Sequence, residues 1–415
     1  MKKTFKIVGS LFLVVFITWI IYLNGKLYHQ PKFVAHGKTE INEDVLGQLR
    51  FLRTEIRDGG ADDMQQYYPE GFVFMNVLYG LSWCEIAGAA GHQSALYKEA
   101  HDEIQFSYAQ INSEKGKTVF DKDLPIPYGA FYTGWNNYLL GKKLSIEDRQ
   151  IRDPVEINLY NSQCAQIVSA LQKSETPFPE SYAHACWPAD AVVAVASLTL
   201  RPKTDSPIYT GEIHKWVDRV KSNLDPNGLI PHSAQYFSGK PQEHARGSSQ
   251  SLILNFLIEI DSAFAREQFK IYKDKFLTLR FGLPGLCEFP MGEDGFGDID
   301  SGPVIFGIGG AATIVGLRTM TIFGEQKTAI ALHNGIEAFG FASSFEGKKK
   351  FLFGKLSMAD AFIAWANSKE ITKDKMLSTD EHWRWKFQLY SLLMSTLLLL
   401  FLIKAWRVKA KLSSR

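Results

Sequence analysis

The sequence predicts an all-α protein, an (α/α)6 toroid flanked by one N-terminal and one C-terminal transmembrane helix. Uncharged apolar runs lie near both ends, about a dozen apolar-faced helical segments fill the middle, and no convincing run alternates with the period of a strand.

The runs at residues 7–23 and 387–403 carry no charge, and both approach the ~20 residues that cross a hydrocarbon core about 30 Å thick. Trp19 and Tyr22 lie at the far end of the first, and Trp383, Trp385 and Trp406 flank the second, the places where amphipathic rings favour the headgroup region. No small-x-small cleavage site follows the first run, so it reads as an anchor and not as a signal peptide. Lys2, Lys3 and Lys6 precede it, and Lys404, Arg407, Lys409, Lys411 and Arg415 follow the second. Cationic flanks stay in the cytoplasm. The expectation is a two-pass cell-membrane protein with both termini cytoplasmic and its main domain extracytoplasmic, periplasmic or extracellular.

The expected boundaries are a cytoplasmic N-terminus (1–6), a first span (7–23), a linker (24–40), the toroid (41–375), a second linker (376–386), a second span (387–403) and a basic tail (404–415). Of 46 Lys and Arg, the eight just named belong to the ends, so the remaining 38 face 44 Asp and Glu, a balance of −6. That balance argues against a nucleic-acid partner, which calls for a basic face. Cys84, Cys164, Cys186 and Cys287 form no CxxC pair, so a structural zinc site is not expected, although one or two disulfides are compatible with an oxidising compartment.

Helical spacing begins at Ile41, with Asn42 as N-cap, Glu43 and Asp44 in the first turn, and Val45, Leu46, Leu49, Leu52 and Ile56 on one face. The same pattern predicts helices over 72–90, 92–112, 134–140, 154–172, 189–198, 213–223, 247–264, 266–277, 306–323, 327–339 and 356–369. Residues 351–353 are compatible with a short strand. Helices joined as hairpins of roughly 55 residues suit a double ring; an α-solenoid would repeat a motif from one hairpin to the next, and none repeats.

Unusual residues cluster in four connections. Tyr68-Pro69-Glu70 opens a helix, where Glu70 is either a catalytic carboxylate or a favourable helix-start charge. Residues 180–190 gather Tyr182, His184, Cys186, Trp187 and Asp190, enough protonation chemistry for a general acid/base site. Asp190 just after Pro188 also suits a helix N-terminus, and Cys186 alone also suits a small buried apolar position. A third stretch runs from His232 to Arg246-Gly247-Ser248-Ser249, in which Arg246 suits an anionic or hydroxyl ligand and the serines suit capping. The fourth, residues 294–303, carries Asp298 and Asp300, a pair able to divide into an acid and a base. It opens like a calcium loop, but position twelve counted from Asp298 is Gly309, not the bidentate Glu that such a loop requires. No metal or cofactor is therefore expected.

Tyr79-Gly80-Leu81, the stretch from Tyr182 to Cys186, the loop from Pro231-His232 to Gly239-Lys240-Pro241, and Asp298-Ile299-Asp300-Ser301-Gly302 together resemble the linalool dehydratase/isomerase family, whose fold is an (α/α)6 barrel. Cys186 matches an active-site cysteine of that family. The family's second such cysteine and a histidine have no counterpart, and the matching neighbourhoods hold Pro177 and Tyr128 to Phe131. The resemblance implies lyase or isomerase action on an isoprenoid-like or lipid alcohol. Expected catalytic groups are Cys186, Asp298, Asp300, Asp190 and Glu70, and expected substrate contacts are Tyr68, Tyr128, Tyr182, His184, Trp187, His232 and Arg246. Expected partners are a small-molecule, lipid or glycan substrate and the membrane. A glycan-active hydrolase, lyase or epimerase is the rival enzyme, with Trp135, Tyr138 and Trp187 stacking on sugar rings. A binding or assembly protein without catalysis is the third reading.

Overall fold

The computed structural model describes residues 2–36, 39–200, 208–298, 301–369 and 382–412. Asp300, the expected boundary at 375–376 and the last residues of the basic tail lie outside them. The described chain is mostly helical, with apolar helices near both termini.

Six helices contact one another in a cycle: α4 (Gly71–Ala89), α7 (Gly129–Ile146), α9 (Pro188–Thr199), α11 (Gly247–Ile260), α13 (Gly310–Ile322) and α15 (Ser357–Ser368), which returns to α4. They are apolar on most of their circumference, as helices covered on every side must be. The second layer consists of α2 (Glu43–Arg57) on α4 and α15, α5 (Ala95–Ile111) on α4 and α7, α8 (Pro154–Lys173) on α7 and α9, α10 (Thr210–Lys221) on α8, α12 (Ser262–Phe276) on α11, and α14 (Gln326–Phe339) on α13. These helices are amphipathic; in α10 only Ile213, Trp216, Val217 and Val220 are buried. Two short helices, α3 (Gly60–Tyr67) and α6 (Glu114–Lys117), complete the connections.

Aromatic rings from different helices of the cycle meet at its centre. Trp135 touches Phe256 edge-on at 5.2 Å and Trp365 at 6.4 Å, and Phe256 stacks on Trp365 at 6.0 Å. Such pairs add about 0.5–1.5 kcal/mol each beyond the area they bury.

Local chemistry moved several expected boundaries. Asn42 caps α2 as expected, accepting from the Asp44 and Val45 amides. Residues 247–264 were expected as one helix, but Asp261 accepts the Ala263 and Phe264 N–H groups at 3.0 Å and starts α12 there. The helix expected from Phe306 begins at Gly310. Preceding it is a hairpin of β7 (Val304–Ile305) and β8 (Ile308–Gly309), one of five antiparallel hairpins among the described residues. The others pair β1 (Phe33–His36) with β2 (Thr39–Asn42), β3 (Ser233–Ala234) with β4 (Pro241–Glu243), β5 (Leu277–Arg280) with β6 (Leu283–Leu286), and β9 (Ser343–Phe345) with β10 (Lys348–Lys350). The strand considered at 351–353 is instead a 3-10 turn over Leu352–Gly354. All four cysteines are buried, free thiols.

Among the described residues, three helices are long and apolar enough to cross a membrane: residues 6–26 of α1 (Lys2–Lys26), α4, and residues 385–404 of α16 (Trp385–Leu412). The α4 candidate is buried in the helix cycle, whereas α1 and α16 extend from it side by side, with Trp406 Nε1 donating to Ser10 Oγ at 3.0 Å. Where they meet the helices, the Leu27 carbonyl accepts from Asn334 Nδ2 at 2.8 Å and Arg384 Nε at 2.7 Å.

Candidate active site

The described residues singled out from sequence lie in connections that lead into helices of the cycle, or in the first turn of one. Tyr68 and Glu70 precede α4, Tyr128 precedes α7, residues 182–190 lead into α9, His232 and Arg246 precede α11, and Asp298 precedes α13. The loops touch in succession: the Tyr182 hydroxyl donates to Glu70 Oε2 at 3.3 Å, the Ala234 amide to the Cys186 carbonyl at 3.0 Å, and Arg246 to Asp298.

A residue not singled out from sequence, Glu288, lies in the middle of one such group. It follows the β5–β6 hairpin, and its side chain is fully buried against the start of α11. Ser248 holds it twice, donating Oγ–H to Oε1 at 2.6 Å and its amide N–H to Oε2 at 3.3 Å. Two glycines make room. A Cβ on Gly247 would lie 1.9 Å from the Cys287 carbonyl, and one on Gly309 would lie 2.9 Å from Glu288 Oε2. Burial pushes the Glu288 carboxyl up to about 7, against the opposing pull of Ser248 and Arg246. It therefore gains and loses a proton near neutrality.

Arg246 stands between this carboxyl and His232. It pairs with Asp298 and, at 3.2 Å, with Glu243, and lies over the Phe289 ring. Burial, reinforced by Arg246, holds His232 down to about 4, so its imidazole is neutral at physiological pH. His232 Nε2 lies 3.6 Å from Glu243 Oε2, and Nδ1 is buried with no partner among the described residues. Burial raises Asp298, but the Ser301 amide and Arg246 outweigh it and hold the carboxyl at about 2. Asp298 is thus a fixed anion that orients Arg246, not a proton donor near neutrality.

The remaining expected residues form a neighbouring group. Tyr182 stacks on Phe120 and Phe131 and meets Trp187 edge-on at 5.6 Å. Cys186 and Asp190 are both buried. Burial, then Glu180 and Asp190, push the Cys186 thiol up to about 12, which keeps it protonated and unsuited to act as a thiolate. Tyr128 takes a left-handed conformation before α7 and packs on Tyr132. His184 is exposed, packs on Tyr236, and receives its backbone order from Glu180, which accepts the His184 amide at 2.6 Å. Cys186 bridges to Ala234, two residues beyond His232, and so joins this group to the first.

The other polar clusters have fixed charges. His29, His333 and Glu337 bring possible metal-ligand atoms within 4.8 Å of one another. Lys349 Nζ, however, lies among them, 2.5 Å from Glu337 Oε1 and 2.9 Å from Asp44 Oδ2, which makes the cluster a buried ion-pair network. A cavity of about 150 Å³ lies at the opposite ends of α4, α7, α11, α13 and α15, lined in part by Glu85, Lys142, Glu259, Arg318 and Lys369. There burial would raise Glu85, but Arg318 and Lys369 hold it at about 2. Trp135 is packed inside the helix cycle and Tyr138 is hydrogen-bonded to Glu259 in this cavity, so neither is placed as a sugar platform beside the loops.

No family model matches the chain, and no curated protein matches it.

Proposed function

We propose that the chain is a membrane-anchored enzyme whose main domain, an (α/α)6 toroid, lies outside the cytoplasm and performs acid/base chemistry on a lipid or isoprenoid-like alcohol. The observation that carries the reading is Glu288, a buried carboxyl with a pKa near 7, whose charged neighbour Arg246 also acts on the neutral His232. The cyclic contacts of α4, α7, α9, α11, α13 and α15 support the toroid, and the cationic flanks of the two apolar helices support the topology.

Protonated Glu288 would donate to the departing hydroxyl, and the C–O bond would break with loss of water. His232 Nδ1 would take the proton from the adjacent carbon, and the C–H electron pair would form the new double bond. Readdition of water at another carbon would complete an isomerisation. Fixed charge on Arg246, oriented by Asp298 and Glu243, stabilises the ionised carboxylate that forms on Glu288. Tyr182, Trp187 and Tyr128 offer apolar faces for the hydrocarbon. The glycan reading is weaker because Trp135 and Tyr138 are withdrawn from the loops.

The test is turnover by the full chain in lipid nanodiscs, supplied with an allylic isoprenoid alcohol and followed by product analysis in deuterated water. Alkene or transposed alcohol that disappears in Glu288→Gln and in His232→Asn is the expected result. Alcohol recovered unchanged, without solvent deuterium, would overturn the reading.

A further inference from the structure

The loops that lead into the helix cycle carry exposed phenylalanines at their tips, in conformations that phenylalanine ordinarily avoids. Phe281, Phe306 and Phe353 have φ of 52°, 53° and 60°, each followed by a glycine at positive φ. A bulky side chain in this region is uncommon and strained. Asn or Asp would form such turns with less strain and better solubility. The three rings are nevertheless 55%, 69% and 64% exposed, and Phe237 and Phe345 on two further hairpins are 65% and 75% exposed.

Three of these rings, Phe281, Phe306 and Phe353, connect through aromatic contacts to the apolar helices where these leave the domain. Phe281 meets Phe306 at 5.5 Å and Tyr390 of α16 at 6.4 Å. On the other side Phe353 stacks on Phe341 at 5.3 Å, and Phe341 stacks on Tyr22 of α1 at 6.5 Å. Tyr22 and Tyr390 both lie within the stretches long and apolar enough to span a membrane, so the rings stacked on them share their depth. Arg280, Lys348, Lys355 and Lys386, close in sequence to these tips or at the start of α16, are exposed cations of the kind that attract headgroup phosphates.

We propose that these phenylalanine tips form a collar that beds into the headgroup–acyl boundary of the bilayer around α1 and α16, so that the Glu288 site opens towards lipid. The inference rests on reading α1 and α16 as membrane spans. Aromatic and apolar side chains on such a surface sit about 5–10 Å into the boundary. A hydrogen bond joins the collar to the site: the carbonyl of Gly307, next to Phe306, accepts the Glu288 amide at 3.2 Å. A membrane-resident amphiphile would then reach Glu288 by lateral diffusion, its polar end held at the interface where Arg246 and His232 lie.

Depth-dependent quenching on the full chain in phosphatidylethanolamine–phosphatidylglycerol vesicles tests the proposal. Single cysteines replace Phe237, Phe306 or Phe345 and carry an environment-sensitive fluorophore. Phe237 and Phe345 are exposed and at ordinary backbone angles, so Phe237→Cys and Phe345→Cys keep the test informative if Phe306→Cys fails to fold. Reporters at Ile151, exposed at the opposite end of the domain, and at Val14 and Leu397 in the apolar helices complete the set. The expected result is loss of fluorescence at 237, 306 and 345 to a nitroxide placed high on the lipid chain, loss at 14 and 397 to one placed deep, and loss at 151 only to an aqueous quencher. Tips quenched only from water while 14 and 397 are quenched by lipid would overturn the collar alone. Positions 14 and 397 quenched only from water would overturn the membrane-span reading and the collar with it.

Discussion

Replacing Glu288 by Gln separates its chemistry from its packing. The shape is kept, and Ser248 can be served by the amide: the Gln carbonyl accepts the Ser248 N–H and the NH2 group donates to Ser248 Oγ. Only the titration is lost. Burial raises the carboxyl from its ordinary 4.5 to about 7, so between those values the folded chain binds more protons than the unfolded one. The wild type therefore loses stability as pH rises from about 4.5 to about 7, by roughly 3 kcal/mol at 1.36 kcal/mol per pH unit. Glu288→Gln should match the wild type near pH 4.5 and exceed it by up to roughly 3 kcal/mol above pH 8. For a domain with an unfolding entropy of about 0.7 kcal/mol/K, that is a gain of about 5 °C in Tm.

Thermal unfolding in detergent micelles across this range, followed by tryptophan fluorescence, measures the difference. The same variant should have lost turnover, together with the fall in wild-type activity above pH 7 that deprotonation of a general acid produces. A Tm difference that does not change between pH 4.5 and 8.5 would refute the raised carboxyl. A pH-dependent difference with undiminished turnover would leave the carboxyl raised but remove its catalytic role.

Further expectations follow from the same packing. Gly247→Ala places a methyl group 1.9 Å from the Cys287 carbonyl, and so should cost more than about 3 kcal/mol, visible as a lower denaturation midpoint. Lys349→Met removes the cation from the buried Glu337 carboxylate, while Asp44 keeps His29, and should cost ~3–5 kcal/mol in the same measurement. Arg246→Gln removes the cation that depresses both neighbours, so His232 and Glu288 should each titrate at higher pH, read from His232 ring signals by NMR and from the upper limb of the activity profile. Asp298→Asn should change stability by less than about 1 kcal/mol, since the carboxylate is half exposed, while lowering kcat through a misplaced Arg246.

The helices were legible in sequence because their signals are local. Apolar spacing, Asn42 as a cap and Pro188 at a helix start each act within one turn, and α2 and α9 begin within two residues of their expected starts. The hairpins were not, since two- to four-residue strands offer too few positions for alternation to be seen, and two of the tips, at 281–282 and 306–307, are spelled Phe-Gly instead of Asn-Gly. Loops rich in unusual residues were found, and with them His232, Arg246 and Asp298. Glu288 escaped because Cys-Glu-Phe-Pro carries no local signal. What marks it is the meeting of Cys287 with Gly247, forty residues earlier, and that contact exists only in three dimensions. The glycines were the one available hint, because Gly247 and Gly309 flank helix starts where a side chain would otherwise be tolerated.

A raised carboxyl alone does not mark a catalytic acid, and Asp360 makes the distinction testable. Burial pushes it up to about 8, higher than Glu288, and one of its oxygens is buried without a partner. Its other oxygen, however, accepts the Phe351 amide at 2.7 Å and pins the turn over Leu352–Gly354 to the first turn of α15. Asp360 thus has a local structural use that explains why it is kept. Glu288 accepts from Ser248 near Arg246, on groups that Gln could serve equally well. Asp360→Asn and Glu288→Gln should therefore behave alike in stability, both gaining on the wild type as pH rises, and differ in turnover, with only Glu288→Gln inactive. Loss of turnover in both variants would mean that the loops at this end of the helices act as one strained unit, and that the acid need not be Glu288.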